Sequence, residues 1–377
     1  MDFTLSEEQE MLRTSARDFL GEKCPKTMVR AMEDDERGYP PELWKEMADM
    51  GWLGLVFPEQ YEGSGMSFLD LAVLLEETGR ACLPGPFFST VVLGGLTLLD
   101  AGTEEQKRNY LPKIARGEAI LTLALAEPEG MYGPQAIKVR ARASGPAFKI
   151  NGPKLFVTDA HVASNILCVA RTGRRAAGED GISIFSVEAD APGLSHSMLK
   201  TLSGEKQCEV VFDGVKVSKE QLVGSLHQGW PVVQRAIERA GIAKCCEMVG
   251  MMSRALEMTV AYAKERKQFG QPIGHFQVIQ HYCASMATDV DAARFITYQA
   301  AWRISQGLLA TREVSIAKSW MNEAFGRVIT LAHQVHGAIA VTIDHELQYY
   351  TKRGKAADLT YGDGEFHRDL VAREMGL

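Results

Sequence analysis

The stretch Glu265-Arg266-Lys267-Gln268-Phe269-Gly270, followed at a short distance by Phe276-Gln277, decides how this sequence is interpreted. It lies between two long segments with helical spacing of apolar residues, and its glycines and proline predict a helix-to-helix turn. Arginine is a planar charged fork that suits a pyrophosphate or another bound anion. Glutamine both donates and accepts hydrogen bonds, and phenylalanine offers a flat apolar face. A solvated basic turn would have the same composition, so the rest of the chain must separate the two interpretations.

The composition limits the class of protein. The chain has 377 residues, of which 46% are hydrophobic and 24% charged, so it is long enough for two or three soluble domains. A net charge of −7 argues against a nucleic-acid partner. The seven cysteines are scattered without a CxxC pair, which indicates reduced thiols and no metal site of cysteines. No signal peptide and no apolar run of ~20 residues is visible, so we expect a cytoplasmic protein without membrane insertion.

Three regions differ in their periodicity, and together they predict an α+β multidomain fold. Residues 1–120 form an N-terminal all-α domain, in which Ser6-x-x-Gln9 and Thr103-x-x-Gln106 are capping boxes. Residues 121–224 form a small β-barrel or sandwich domain of short segments rich in branched residues. In this region, Asn151-Gly152 and Asp213-Gly214 predict hairpin turns.

The remaining region, residues 225–377, returns to helical periodicity and predicts a C-terminal four-helix bundle. Long segments joined by short connections are typical of such bundles. The predicted helices cover 230–265, 276–306 and 311–335, with a shorter one from 342.

Five motifs occur in a fixed order along nearly the whole chain, and together they resemble the acyl-CoA dehydrogenase family of flavoproteins. The motifs are Leu123-Ala124-Leu125-Ala126-Glu127-Pro128-Glu129-Gly130, Lys154-Leu155-Phe156-Val157-Thr158, Arg266-Lys267-x-Phe269-Gly270 with Gln277, Gln334-Val335-His336-Gly337, and Tyr361-Gly362 with Arg368.

The resemblance implies that FAD lies between the β domain and the bundle, with its adenosine half reaching a neighbouring subunit of a homo- or hetero-tetramer. Phe156 stands where the family usually has a tryptophan beside the flavin, although a core aromatic residue is the plain alternative. Ala126 replaces the usual threonine, and Ala338 and Ala340 replace glycines. The positions that match FAD contacts are Leu125, Ala126, Phe156, Thr158, Arg266, Phe269, Gln277, Gln334, Ala338 and Asp363.

The family reaction needs a carboxylate that removes the α-proton of the thioester. Most members carry a glutamate in the tail, where this chain has Tyr361, and a tyrosine with a pKa near ~10 is a poor base. Other members place the glutamate 26 residues before the motif arginine, where this chain has Ala240. Both customary positions therefore lack a carboxylate.

Glu247 is the first candidate to replace that base. It lies seven residues beyond Ala240, so on a helix both residues share a face with Lys244 and line one wall of an acyl pocket. Glu238 matches a contact to the pantetheine of CoA. Ser89, within 86–93, matches a segment that lines the acyl pocket. A solvated or salt-bridged acid, and a helix cap for Ser89, remain the alternatives.

The resemblance therefore predicts an FAD-dependent enzyme that oxidises an acyl-CoA to its 2,3-enoyl form and passes electrons to an electron-transfer flavoprotein. One alternative is a catalytically silent subunit that completes the FAD site of a hetero-oligomer. Another is altered flavin or acyl-CoA chemistry with Tyr361 as an acid or hydrogen-bond donor. The histidines lack metal-ligand spacing, so no metal is expected. The acyl group is not determined by the sequence.

Overall fold

The computed structural model describes residues 4–130, 132–173 and 178–377. Within these residues, no helix is both long and apolar enough to cross a membrane. The chain divides into two compact units. The helical unit consists of Met1–Arg30, Ser67–Leu83 and Gly241–Leu377, and the sheet unit consists of Ala31–Met66 and Pro84–Ala240.

Helices occupy both ends of the described chain, and strands occupy its middle. The helices are α1 (Glu7–Lys23), α2 (Lys26–Asp34), α3 (Pro41–Asp49), α4 (Phe68–Ala81), α5 (Leu96–Ala101), α6 (Glu104–Ala115), α7 (Trp230–Glu265), α8 (Gln277–Ser305), α9 (Thr311–His336), α10 (Leu347–Leu359) and α11 (Gly364–Glu374), with a π-helix at Phe88–Gly95. The strands are β1 (Leu121–Ala124), β2 (Arg140–Ser144), β3 (Ala147–Thr158), β4 (Asn165–Arg171), β5 (Ile182–Glu188), β6 (Leu194–Leu199), β7 (Gln207–Val217), β8 (Leu222–Val223), β9 (Lys267–Gln268) and β10 (Gln271–Pro272).

The predicted helix starts are confirmed where capping chemistry predicted them. Ser6 and Thr103 each accept a hydrogen bond from the backbone of the third helical residue, and the glutamine there bonds back to the cap. Ser67 and Asp70 form a third capping box at the start of α4, which the sequence analysis did not identify.

In the helical unit, α4 and α7 cross with their backbones in direct contact. A β-carbon placed on Gly79 would lie 2.1 Å from the carbonyl oxygen of Glu247, and one on Gly250 would lie 1.9 Å from that of Glu76. Glycine is therefore required at both crossing points, because any side chain would push the helices apart. This crossing determines where the Glu247 segment of α7 lies against α4.

The sheet unit contains one mixed sheet with the strand order β6-β7-β3-β2-β4-β5-β8, and β1 pairs with β4 in parallel. The hairpin prediction for Asn151-Gly152 and Asp213-Gly214 is wrong. Asn151 lies inside β3 directly opposite Asp213 in β7, next to a shift in register. Gly152 and Gly214 have positive φ angles of 128° and 65°. These glycines therefore lie in an irregular part of the paired strands and not in a hairpin turn.

Candidate active site

A buried ion pair fixes the segment after β1 in the sheet unit. Lys154 Nζ is fully buried and lies 2.7 Å from Glu127 Oε1, and it also donates to the carbonyl oxygen of Leu125 at 3.0 Å. The Glu127 carboxylate accepts backbone N–H groups of Lys138 and Val139 at 2.8 and 3.1 Å. These additional hydrogen bonds offset the desolvation of both charges. Both residues belong to the motifs of the sequence analysis, which did not predict that they pair.

The same segment is hydrogen-bonded to β3 through its backbone. Leu155 N donates to the carbonyl oxygen of Ala126 at 2.9 Å. Ala126 is exposed and Leu125 is half-buried. The two predicted cofactor contacts after β1 are therefore held against the part of β3 that carries Phe156 and Thr158.

Phe156 lies in a β-bulge that turns its ring outward. The pairing of β3 with β7 shifts in register between Lys154 and Val157. Phe156 has a φ angle of +54°, and 56% of its surface is exposed. A bulky residue in the left-handed region is strained, and such strain is typical of functional sites. The exposed ring contradicts the core-aromatic alternative and leaves a flat apolar face available for a cofactor.

The segment with Ser89 contains buried hydroxyl groups. Ser89 lies in the π-helix, is fully buried, and donates to Asp159 Oδ2 at 2.6 Å. The hydroxyl of Thr90 is also buried and has no hydrogen-bond partner in the described chain. The helix-cap alternative for Ser89 is wrong, since its hydroxyl donates to the side chain of Asp159, the residue directly after β3. A π-helix with buried polar groups is a common feature of functional sites.

Two further predicted residues of the sheet unit lie at the start of α7. Glu238 is half-buried and accepts a hydrogen bond from Gln234 Nε2 at 3.3 Å. Ala240 is fully buried. Between them, Arg239 pairs with Asp100 at 2.6 Å, which joins α7 to α5.

In the helical unit, the Arg266 motif forms a small hairpin that displays Phe269. Gln268 of β9 pairs with Gln271 of β10, so Phe269 and Gly270 form a two-residue turn. Their φ angles are +52° and +83°, as a type I′ turn requires. Phe269 is 91% exposed and lies edge-to-face with Phe276, with 6.0 Å between ring centroids. The predicted turn is confirmed, and its hairpin form was not anticipated.

Three polar residues among the predicted FAD contacts in this unit remain available to a ligand. Arg266, Gln277 and Gln334 are exposed, and their side chains form no ion pair or hydrogen bond with any described residue. Ala338 is exposed as well. A free guanidinium and two free amides are the chemistry that a pyrophosphate and an adenosine need. The residues present therefore fit FAD.

The tail turn with Tyr361 is held by buried side chains. Tyr361 has a φ angle of +59°, and its carbonyl oxygen accepts a hydrogen bond from His367 Nε2 at 3.0 Å. His367 Nδ1 lies 3.3 Å from the hydroxyl of Ser315 and is the acceptor, because Nε2 carries the proton. Burial lowers the pKa of His367 to about 4. Asp363 accepts the N–H of Phe366 at 2.9 Å and is the N-cap of α11.

Glu247 lies on α7 in an almost buried ion pair. Its carboxylate lies 2.8 Å from Lys244 Nζ, and the two side chains are 12% and 11% exposed. Lys244 Nζ donates a hydrogen bond to this carboxylate and holds it in one orientation. In the helical unit the structure thus contains a carboxylate that is shielded from water and fixed in orientation.

Comparison with known proteins identifies the family over almost the whole chain. The models of the acyl-CoA dehydrogenase N-terminal, middle and C-terminal domains match residues 6–118, 122–215 and 227–376. A probable acyl-CoA dehydrogenase, YngJ, of Bacillus subtilis (strain 168) is 32% identical over 381 residues, with 100% of both chains covered. A 3-(aryl)acrylate reductase of Clostridium sporogenes is 30% identical, covering 98% of this chain and 99% of its own.

The butyryl-CoA dehydrogenase structure from Megasphaera elsdenii aligns with a TM-score of 0.93 at 26% identity, with 100% of both chains covered. The predicted order of helical, β and helical domains is confirmed. The chain therefore belongs to the acyl-CoA dehydrogenase family, whose members are FAD-containing oxidoreductases that act on the CH–CH group of acyl-CoA thioesters.

Proposed function

We propose that this protein oxidises an acyl-CoA thioester to its 2,3-enoyl form, with Glu247 as the base that removes the α-proton. The observation that carries the proposal is the nearly buried Glu247–Lys244 ion pair on α7. A carboxylate shielded from water and fixed by a neighbour suits general base catalysis. The two customary base positions hold Ala240 and Tyr361, so in this proposal another carboxylate supplies the function.

The remaining predicted site residues bind and orient the cofactor or the substrate. Phe156, Thr158 and the backbone at Leu125 and Ala126 would hold the flavin. Bound FAD supplies the acceptor for the hydride that leaves the β-carbon. In this proposal Arg266, Phe269, Gln277, Gln334, Ala338 and Asp363 hold the cofactor, and Ser89, Glu238 and Ala240 contact the substrate.

We further propose an oligomeric assembly and an electron acceptor for the protein. The exposed Arg266, Gln277 and Gln334 suit the FAD of a neighbouring subunit, and because tetramers are typical of the family we expect a tetramer. An electron-transfer flavoprotein then takes the electrons, and the cytoplasm is the expected location.

Anaerobic bleaching of the flavin by a panel of acyl-CoA thioesters tests the proposal. We expect one thioester to bleach the wild-type protein and Glu247→Gln to abolish the bleaching while flavin remains bound. Glu257→Gln is the matched control, because Glu257 is a partly exposed acid on the same helix that pairs with Arg80. Bleaching that survives Glu247→Gln would show that another group is the base.

A second candidate function is reduction of an enoyl-CoA, with Tyr361 as the proton donor to the α-carbon. The observation that supports this candidate is the tail turn, in which buried His367 donates a hydrogen bond to the carbonyl oxygen of Tyr361. A phenol gives a proton more readily than it takes one near neutral pH. In this direction FAD, when bound and reduced, would supply the hydride. The Clostridium sporogenes relative named as a reductase supports this alternative.

The two candidates differ in which variant loses activity. Oxidation of the flavin by an enoyl-CoA that is lost in Tyr361→Phe and kept in Glu247→Gln would favour reduction. The opposite pattern would favour dehydrogenation. A purified chain that binds no flavin, or whose flavin no thioester reduces, would instead support the silent subunit of a hetero-oligomer.

A further inference from the structure

Three basic side chains form a row across three adjacent strands of the sheet unit. Arg142 on β2 lies opposite Lys149 on β3, and Lys149 lies opposite Lys216 on β7. All three residues are exposed. No carboxylate in the described part of the chain forms an ion pair or hydrogen bond with them. We call these three residues the basic row.

The alternation of the strands shows that the row faces solvent. Ala141, Ile150 and Val215, which neighbour the row along its strands, are at most 2% exposed. Successive side chains of a strand point to opposite faces, so the basic row lies on the outer face of the sheet. This outer face is separate from the Phe156 end of β3, since Lys149 and Phe156 are seven residues, or ~23 Å, apart along the strand.

The neighbouring positions on this face add little negative charge. The next row consists of Arg140, Asn151 and Asp213, which lie opposite one another in the same three strands. The two rows together carry four basic residues and one acid, in a chain whose net charge is −7. Like charges placed directly opposite in a sheet weaken the strand pairing. The isolated protein therefore bears a repulsion that an anionic partner would remove.

We propose that the basic row is a docking surface for an acidic protein, which lays a helix with a line of carboxylates across the three strands. Adjacent strands are ~4.8 Å apart, and carboxylates four residues apart on a helix are ~6 Å apart along its axis. Long lysine and arginine side chains bridge that difference. Charge complementarity of this kind gives orientation and a fast association rate.

The same charges could in principle attract duplex DNA or an anionic membrane, and the geometry favours neither. The negative net charge of the whole chain repels extended polyanions. A flat sheet face cannot enter a DNA groove, where a protein reads the duplex with a helix or a narrow ribbon. The surface therefore suits a partner of limited size with a local cluster of acids.

The binding test uses the full-length protein and a fluorescently labelled helical peptide that carries glutamate at every fourth position. Fluorescence anisotropy at low salt measures its affinity, and a peptide with glutamine at those positions is the control ligand. We expect the glutamate peptide to bind, and Lys149→Glu to weaken binding about tenfold or more. Lys219→Glu is the matched control, because Lys219 is exposed in the same unit outside the row, and its effect should stay below about twofold. About 0.5 M sodium chloride should abolish binding.

The expected loss of peptide binding in Lys149→Glu can be distinguished from misfolding. A carboxylate at position 149 would stand between Arg142 and Lys216 and turn repulsion into attraction, so the melting temperature of Lys149→Glu should stay equal or rise. Equal binding of the glutamine peptide, or unchanged affinity in Lys149→Glu, would overturn the proposal. Duplex DNA and vesicles of phosphatidylcholine and phosphatidylserine are the alternative ligands. Binding of either one that is tighter than that of the glutamate peptide and is lost in Lys149→Glu would show that the partner is not a protein.

Discussion

Lys154 and Glu127 form an ion pair in which Nζ and Oε1 are 2.7 Å apart and both side chains are at most 3% exposed. The pair joins β3 to the segment after β1, and the two predicted flavin-facing segments of the sheet unit depend on it. Both charges are removed from water, so other hydrogen bonds must offset the cost of desolvation. Two of them are donated to the Glu127 carboxylate by backbone N–H groups.

Breaking this pair from one side should destabilise the protein strongly. Lys154→Met leaves the Glu127 carboxylate buried without its cation, and such a change typically costs ~3–5 kcal/mol of the free energy of unfolding. Chemical denaturation measures the loss. Lys149→Met, at an exposed lysine of the same strand, is the control and should change stability little. A loss below ~1 kcal/mol in Lys154→Met would show that water reaches the carboxylate.

The crossing of α4 and α7 should not tolerate a methyl group. In Gly79→Ala the new β-carbon would lie 2.1 Å from the carbonyl oxygen of Glu247, so the helices must separate. We expect a loss of ~1–3 kcal/mol, the usual cost of overpacking, measured by denaturation. In Gly21→Ala on α1 the new β-carbon would meet no atom of the described residues within 4 Å apart from its own helix backbone, and the change should stabilise the protein by ~0.5–1 kcal/mol. A Gly79→Ala protein that is more stable than Gly21→Ala would contradict the close crossing of the two helices.

His367 should make the protein less stable as the pH falls. Its pKa is lowered from 6.5 to about 4, with burial as the largest cause. Between these values the unfolded chain binds a proton that the folded chain does not, so unfolding becomes easier as the pH falls from 6.5 toward 4. The full effect is on the order of 3 kcal/mol.

The measurement compares denaturation of the wild type and His367→Gln at pH values between 7 and 4.5. We expect a shallower loss of stability in the variant over this range, because the glutamine does not titrate. His281→Gln, at an exposed histidine of α8, is the control and should follow the wild type. Parallel curves for wild type and His367→Gln would show that His367 is already solvated in the folded protein.

Phe269 should matter for the cofactor and little for folding. It is 91% exposed in the first position of a type I′ turn, where asparagine is favoured over an aromatic residue. Phe269→Asn should keep or raise the melting temperature of the apoprotein while lowering the bound FAD per chain by several-fold. Gln271→Ala, at an exposed residue of the same hairpin, should retain its flavin. Full flavin content in Phe269→Asn would remove Phe269 from the cofactor site.

Local chemistry made most of the architecture predictable. The capping boxes at Ser6 and Thr103 and the long helical periods from Trp230 onward depend on residues close in sequence, and the structure confirms them. The hairpin prediction for Asn151-Gly152 failed because glycine with a positive φ angle occurs in β-bulges as well as in turns. Only the partner strand β7 distinguishes the two cases.

By itself, the sequence determined the family, the order of helical and β regions, and the residue types available to FAD, since these follow from local pattern and motif order. Only the tertiary structure decided that the Phe156 ring points outward, that Lys154 pairs with Glu127, and that Lys149 stands between two other basic residues. The physical reason is strand register. A shift of one residue exchanges the buried and exposed faces of a strand, and register depends on partners far away in sequence.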